Sequence, residues 1–233
     1  TLWFVDLETK KQTKLAECSD SWIWNGDISK NGKKIIYSIM TDKFESAYIM
    51  DSDGQNKQLL GSDLGSEYSY CPAFSWDGNK VVFTYYNQSS LNSYYSLCIA
   101  DSNSINLKSE ELLKGSLIQN PCFYPDDKLI LYSKKEYSKT YNLYKLNIQT
   151  KTEEKIIDSQ GGSIWSSRCS PDGTKIVFSW KQKNDKNTAL WFSDLNGRNL
   201  RKLTDPREAD SLDLSISPNS EYIIYESYSE EQG

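Results

Sequence analysis

Hydrophobic and polar positions alternate along this chain in short runs, and five of the runs share one form. In SPDGTKIVFS, Ser170 to Ser179, a polar turn with Asp172-Gly173 at its tip leads into alternating Lys175, Ile176, Val177 and Phe178. Such a pattern predicts a hairpin corner followed by a strand. It returns as ISKNGKKIIYS from Ile28, FSWDGNKVVFT from Phe74, FYPDDKLILYS from Phe123 and ISPNSEYIIYE from Ile216. The turn positions Gly32, Gly78, Asp127, Gly173 and Ser220 lie 46, 49, 46 and 47 residues apart, a period that marks a repeat architecture.

Each period reads as four strands. Strand A (Tyr68 to Phe74 in the second copy) precedes the turn and strand B (Lys80 to Thr84) follows it. Strand C ends at an acidic or Asn residue, as in Leu97 to Asp101 or Leu190 to Asp194, and a further turn leads to a short strand D closing on Leu59-Leu60, Leu112-Leu113, Ile156-Ile157 or Leu203-Thr204. No segment keeps helical periodicity over two or three turns, so the expectation is an all-β chain with one four-stranded antiparallel meander, the blade of a propeller, per period. The ends set the blade count. Thr1 to Asp6 and Lys10 to Leu15 form a C and a D without an A or B, and Leu212 to Glu226 forms an A and a B without a C or D. Joined tail to head, they restore the period at 45 residues. The expected fold is therefore a five-bladed β-propeller in a single domain, 1–233. Its blades run approximately 22–60, 68–113, 117–157 and 163–204, with a composite of 210–233 and 1–17. Thr1 to Asp6 would pair with Tyr222 to Glu226, which closes the ring and removes open sheet edges.

The SPDG turn with its KIVFS strand, the strand ending in DLNG, and Lys202 to Thr204 closing the blade resemble the repeats of the TolB-like β-propeller family. The likeness covers all five periods and is strongest from Ser170 to Thr204. It implies an exported protein, periplasmic, cell-surface or secreted, of a kind that often serves as a binding platform for other proteins. The best-known member has six blades, so a five-bladed chain departs from it.

Composition narrows the function. Formal net charge is -5, with both signs dispersed, so no electrostatic footprint for nucleic acid is present. Apolar runs are strand-sized, well short of the roughly 20 residues of a membrane helix, so no membrane insertion is expected. The chain starts at Thr1 rather than Met, and a removed export signal would leave no trace. The five cysteines, Cys18, Cys71, Cys98, Cys122 and Cys169, form no CxxC pair, so neither a metal site nor a complete disulfide framework is signalled, and mostly buried free thiols are expected. No cofactor is indicated, and a monomer is expected.

The chain has no His, which removes the commonest base for a Ser or Cys nucleophile. Asp51-Ser52-Asp53-Gly54 lacks the Gly and Glu spacing of a calcium loop, and Ser170 to Gly173 reads as a hairpin turn. The expectation is a protein that is not an enzyme. It binds protein or peptide through loops rich in aromatic residues. A carbohydrate-binding module or glycoside-processing propeller, using carboxylates and aromatic stacking, is the alternative. The candidate binding face comprises Trp22, Trp24, Phe44, Tyr68, Tyr86, Tyr94, Tyr137, Trp165, Trp180 and Tyr228. These lie at the starts of the A strands and in the B-to-C loops. Strict alternation would give the other face of strand A small or polar residues lining a central channel. There Arg168 would pair with Asp213 or Asp27.

Overall fold

In the computed structural model, residues 1–19, 21–65, 67–88, 92–136, 140–206 and 210–228 are described, and the side chains of 210–212 are left aside. The chain divides into two compact units, Thr1–Gly115 and Ser116–Gly233. Strands form wherever the alternating runs predicted them, and no α-helix occurs among the described residues.

The first unit begins with a hairpin, β1 (Leu2–Val5) and β2 (Gln12–Ala16). Two antiparallel four-stranded sheets follow. One is β3 (Trp22–Ile28), β4 (Lys34–Met40), β5 (Glu45–Asp51) and β6 (Gln58–Leu59). The other is β7 (Ser69–Phe74), β8 (Lys80–Asn87), β9 (Tyr94–Asp101) and β10 (Ser109–Gly115). The two sheets pack face to face. Ile36, Ala47, Ile49 and Leu60 of one meet Val81, Phe83, Tyr85 and Cys98 of the other. Because side chains alternate across a strand, the opposite face of the first sheet presents Ile35, Tyr37 and Met50 to Leu2, Phe4 and Leu15 of the hairpin.

The second unit repeats the plan in reverse order. Strands β11 (Ile118–Phe123), β12 (Leu129–Lys135), β13 (Tyr141–Asn147) and β14 (Glu153–Ile157) make one blade. A second consists of β15 (Ser163–Cys169), β16 (Lys175–Lys181), β17 (Ala189–Asp194) and β18 (Arg201–Lys202). A single parallel bridge, Tyr141 to Ser163, links them. The hairpin β19 (Asp210–Ile216) and β20 (Ile223–Tyr228) ends the unit. Val177, Leu190 and Leu214 form the core beneath it, while Ile176 and Phe178, on the other face of β16, pack toward Cys122, Leu131 and Leu143.

The five repeat turns have one geometry. The amides of Gly32, Gly78, Asp127, Gly173 and Ser220 each donate to the carbonyl three residues back, at 2.7–2.9 Å. All five residues hold φ between 54° and 75°. Asp127 and Ser220 thus keep the left-handed turn without glycine.

Alternation along strand A breaks, however. Between Trp24 and Asp27, Tyr70 and Ala73, Gln119 and Cys122, Trp165 and Arg168, and Ser211 and Leu214, three steps on strand A face two on strand B. Asn25, Cys71, Asn120 and Ser166 take a left-handed φ of 43–50° at these bulges. The extra residue puts side chains four apart on opposite faces, so the two faces assigned by alternation do not hold across it. Pro72 and Pro121 inside predicted strands were the signal, since proline within a strand marks a sheet edge or a bulge, and here both strands are edges that carry a bulge.

No disulfide joins the five cysteines, of which Cys98, Cys122 and Cys169 are buried. Among the described residues no helix is long and apolar enough to cross a membrane.

Candidate binding surface

Strand register brings five of the predicted aromatics to one end of the first unit. Trp22 lies opposite Met40, which in turn lies opposite Glu45, so β3 and β5 start where β4 finishes. The Tyr86 amide donates to the Tyr68 carbonyl at 3.0 Å, which brings β8 to the same end. A row of rings runs across it. Phe44 meets Tyr68 edge-on at 5.1 Å between centroids, Tyr68 meets Tyr86 at 6.0 Å, Tyr86 meets Tyr95 at 4.6 Å, and Tyr95 meets Tyr70 at 6.5 Å. Trp22 and Trp24 on β3 are 66% and 47% exposed, high values for the largest apolar side chain. A cleft of about 300 Å³ opens beside Tyr68, lined also by Gly65, Glu67, Asn87 and Gln88.

The remaining predicted residues do not join this row. Tyr94 points away from Tyr95, its neighbour on β9, and is covered by Lys114, whose Nζ lies 4.8 Å above its ring and donates to its hydroxyl at 3.4 Å. In the second unit Trp165 packs on Tyr141 at 6.4 Å, and Tyr228 is exposed and donates to Glu226 at 2.9 Å. Trp180 is 5% exposed, packed between Phe178 and Trp191 in the core. Its place in the binding face was wrong because Trp180 still belongs to β16, paired with Ala189, rather than to the loop after it. Tyr137 lies outside the described residues.

The expected Arg168–Asp213 ion pair does not form. The Asp213 carboxylate accepts from Ser166 Oγ at 2.7 Å, while the Arg168 guanidinium donates to the Ser167 carbonyl at 2.9 Å. Among the described residues Arg168 enters no ion pair within 4 Å. The bulge at Ser166 presents the serine, rather than the arginine, to the β19 carboxylate. Asp27 is exposed and accepts from the Ile28 amide at 2.8 Å.

One residue of the site was missed. Glu45 opens β5 and is only 3% exposed. Ser46 Oγ donates to the Glu67 carbonyl at 2.7 Å and the Ala47 amide to Ser69 Oγ at 2.9 Å, which ties β5 to the chain entering β7. Held there, the Glu45 carboxylate accepts from the Cys71 amide at 3.4 Å, at the bulge. Burial raises its pKa above the ordinary value, opposed by the polar groups beside it, Ser38 first and then the Cys71 amide, Trp24 and Asn25. Burial, with Tyr95 and Glu45 nearby, pushes the Tyr70 phenol up to about 12. Aligning the repeats exposes the signal. Glu45 faces Met40 across the strands as Tyr95 faces Tyr86 and Tyr141 faces Lys135, so an acid replaces tyrosine.

Compared with models of protein families, residues 1–233 match the TolB β-propeller domain. The chain belongs to the TolB β-propeller family. Among solved structures, TolB from Acinetobacter baumannii is 19% identical with a TM-score of 0.69, the match covering 95% of this chain and 52% of that one. A putative TolB from Agrobacterium tumefaciens is 18% identical with a TM-score of 0.70, covering 96% and 82%. An oligogalacturonate lyase in complex with manganese is 16% identical with a TM-score of 0.73, covering 99% and 65%. This TolB-family chain thus spans about half the length of the Acinetobacter protein and just under two thirds of the lyase. No curated protein sequence matches it. Identities this low show the fold alone. They nevertheless overturn the expectation that the chain is not an enzyme. A TolB-like fold is shared with a lyase, so it does not set this protein apart from enzymes, and a lack of His argues only against mechanisms that need one.

Proposed function

We propose that this TolB-family protein binds a peptide segment of another protein along the aromatic end of its first unit. The row from Phe44 through Tyr68, Tyr86 and Tyr95 to Tyr70, flanked by exposed Trp22 and Trp24, carries the reading. Rigid aromatic side chains offer large contact area at small entropic cost, and truncating such anchors typically costs about 2 kcal/mol, some thirtyfold in affinity. Peptides selected on the protein from a random library are expected to lose about that factor in Trp22→Ala and Tyr86→Ala, and to keep their affinity in Lys33→Ala. Unchanged affinity in both aromatic variants would remove this surface from consideration. A glycan is the second reading, favoured by the exposed indoles and by likeness to a lyase named for a sugar acid. Arrayed oligosaccharides, with the same variants, test it.

We further propose that the hairpins β1–β2 and β19–β20 complete one blade, making a five-bladed ring in a single domain, 1–233, and that the protein works after export. The regular repeat spacing and the two-stranded form of both terminal sheets support the ring, and the TolB resemblance supports export. In a chain freed of native thiols, cysteine pairs scanned across 2–5 and 223–228 are expected to crosslink within one molecule. Crosslinks forming only between molecules would end the five-blade reading. Cell fractionation checks export.

A further inference from the structure

We propose that the Glu45 carboxylate anchors a cationic group, the lysine or arginine side chain of a bound peptide, seated against Trp24 and Tyr70. This names the ligand chemistry of the peptide-binding surface and rests on that reading only for the cation being part of a peptide.

Among the described residues the acid has no counter-charge within 4 Å. Less buried acids of the same unit do: Lys34 lies 2.6 Å from Asp51, Lys114 3.1 Å from Glu111 and Lys14 2.9 Å from Glu17. Glu45 forms no ion pair among the described residues, although a buried carboxylate gains most from one. Nor does the fold need an acid at this place. The next two repeats put Tyr95 and Tyr141 there, and Tyr141 packs on the Trp165 ring of the following blade. Glu45 presents a carboxylate to the neighbourhood of Tyr70 instead.

The surroundings favour a cation. A positive group over an aromatic face is attracted by the ring as well as by the carboxylate. Among the described residues the lysines of this unit that cover rings do so elsewhere, Lys14 over Trp3 at 5.8 Å, Lys57 over Tyr48 at 4.1 Å and Lys114 over Tyr94 at 4.8 Å. Trp24 and Asn25, whose side chains lie beside the carboxylate, are themselves exposed, and a cation on the surface reaches the buried Glu45 where these two side chains part. A uronate chain would instead bring its own carboxylates against Glu45, and this argues against an acidic glycan here.

Titrating the chain with N-acetyl-L-argininamide and with its neutral isostere N-acetyl-L-citrullinamide, followed by tryptophan fluorescence, tests the proposal without an identified partner. Saturation by the arginine compound at millimolar concentration is expected, with the citrulline compound about tenfold weaker or more. Glu45→Gln should bring the two together. Equal binding of the two compounds by the unmodified chain, or no binding of either, overturns the proposal whether or not Glu45→Gln folds. Library peptides that lack Lys and Arg, and that bind Glu45→Gln unchanged, would sink the cation site while leaving peptide binding intact. Failure to select any peptide would sink the peptide reading, and the amide titration would still decide the cation site.

Discussion

Trp180→Ala is expected to destabilise the protein by about 3–5 kcal/mol, a drop of roughly 10 °C or more in the thermal midpoint for a chain of this size. The indole fills the core between Phe178, at 6.3 Å, and Trp191, at 5.0 Å, beside Ile164 and Ile176. Deleting it leaves a cavity that the flanking strands cannot collapse, because β15 and β17 hold β16 on both sides. Trp180→Phe should cost far less. Trp180 Nε1 is buried without a hydrogen-bond partner among the described residues, so the phenyl ring keeps most of the packing and removes an unsatisfied donor. Trp22→Ala, at an exposed position, should leave the midpoint nearly unchanged. Thermal melts of the three variants check the assignment. An alanine variant at Trp180 that melts with the parent but binds selected peptides weakly would return Trp180 to the surface.

Gly197→Ala is expected to cost about 2–5 kcal/mol, combining left-handed backbone strain with overpacking. Gly197 has φ +73°, and a Cβ there would stand 2.3 Å from the Ile156 carbonyl oxygen and 2.9 Å from its carbonyl carbon. Neither side can yield. The Asp194 carboxylate pins the turn by accepting from the Asn196 and Arg198 amides at 2.9 Å, and the Tyr124 hydroxyl holds the Leu195 carbonyl at 3.1 Å. Ile156 lies at a bulge of β14, held on both sides where Lys155 pairs with Tyr144 and Ile157 with Leu143 of β13. Gly54, at φ +87° in the matching turn of the first unit, gives the comparison. Its Cβ would meet Leu15 alone, Cδ2 at 3.2 Å, the end of a side chain that can turn aside, and Cα at 3.9 Å, an ordinary contact. Gly54→Ala should therefore cost only the backbone term, about 1–2 kcal/mol. Urea denaturation of both variants measures the difference, and equal losses would show that the approach of Ile156 to Gly197 is not rigid.

The strands, their antiparallel order within each blade and the repeat turns were legible along the chain, because these depend on local alternation and on residues that tolerate positive φ. Asp127 and Ser220 show how far that reach extends, since a non-glycine turn is still recognisable from its spacing. Much of the aromatic row was legible for the same reason, Phe44, Tyr68 and Tyr86 all lying at strand ends. What a side chain meets was not legible where a contact comes from another blade. DSDGQN and DLNGRN read as the same turn, yet only Gly197 has a backbone carbonyl of the preceding blade against it. Trp22 and Trp180 read as equivalent rim aromatics, yet one is exposed and the other is core. Local periodicity does not single out Glu45, and only the approach of β7, with Cys71 turned left-handed at its bulge, buries it near Trp24 and Tyr70. Local periodicity fixes which face of a strand a residue occupies up to the next bulge. Long-range packing decides what stands opposite that face, and thereby which residues are core and which are free to bind.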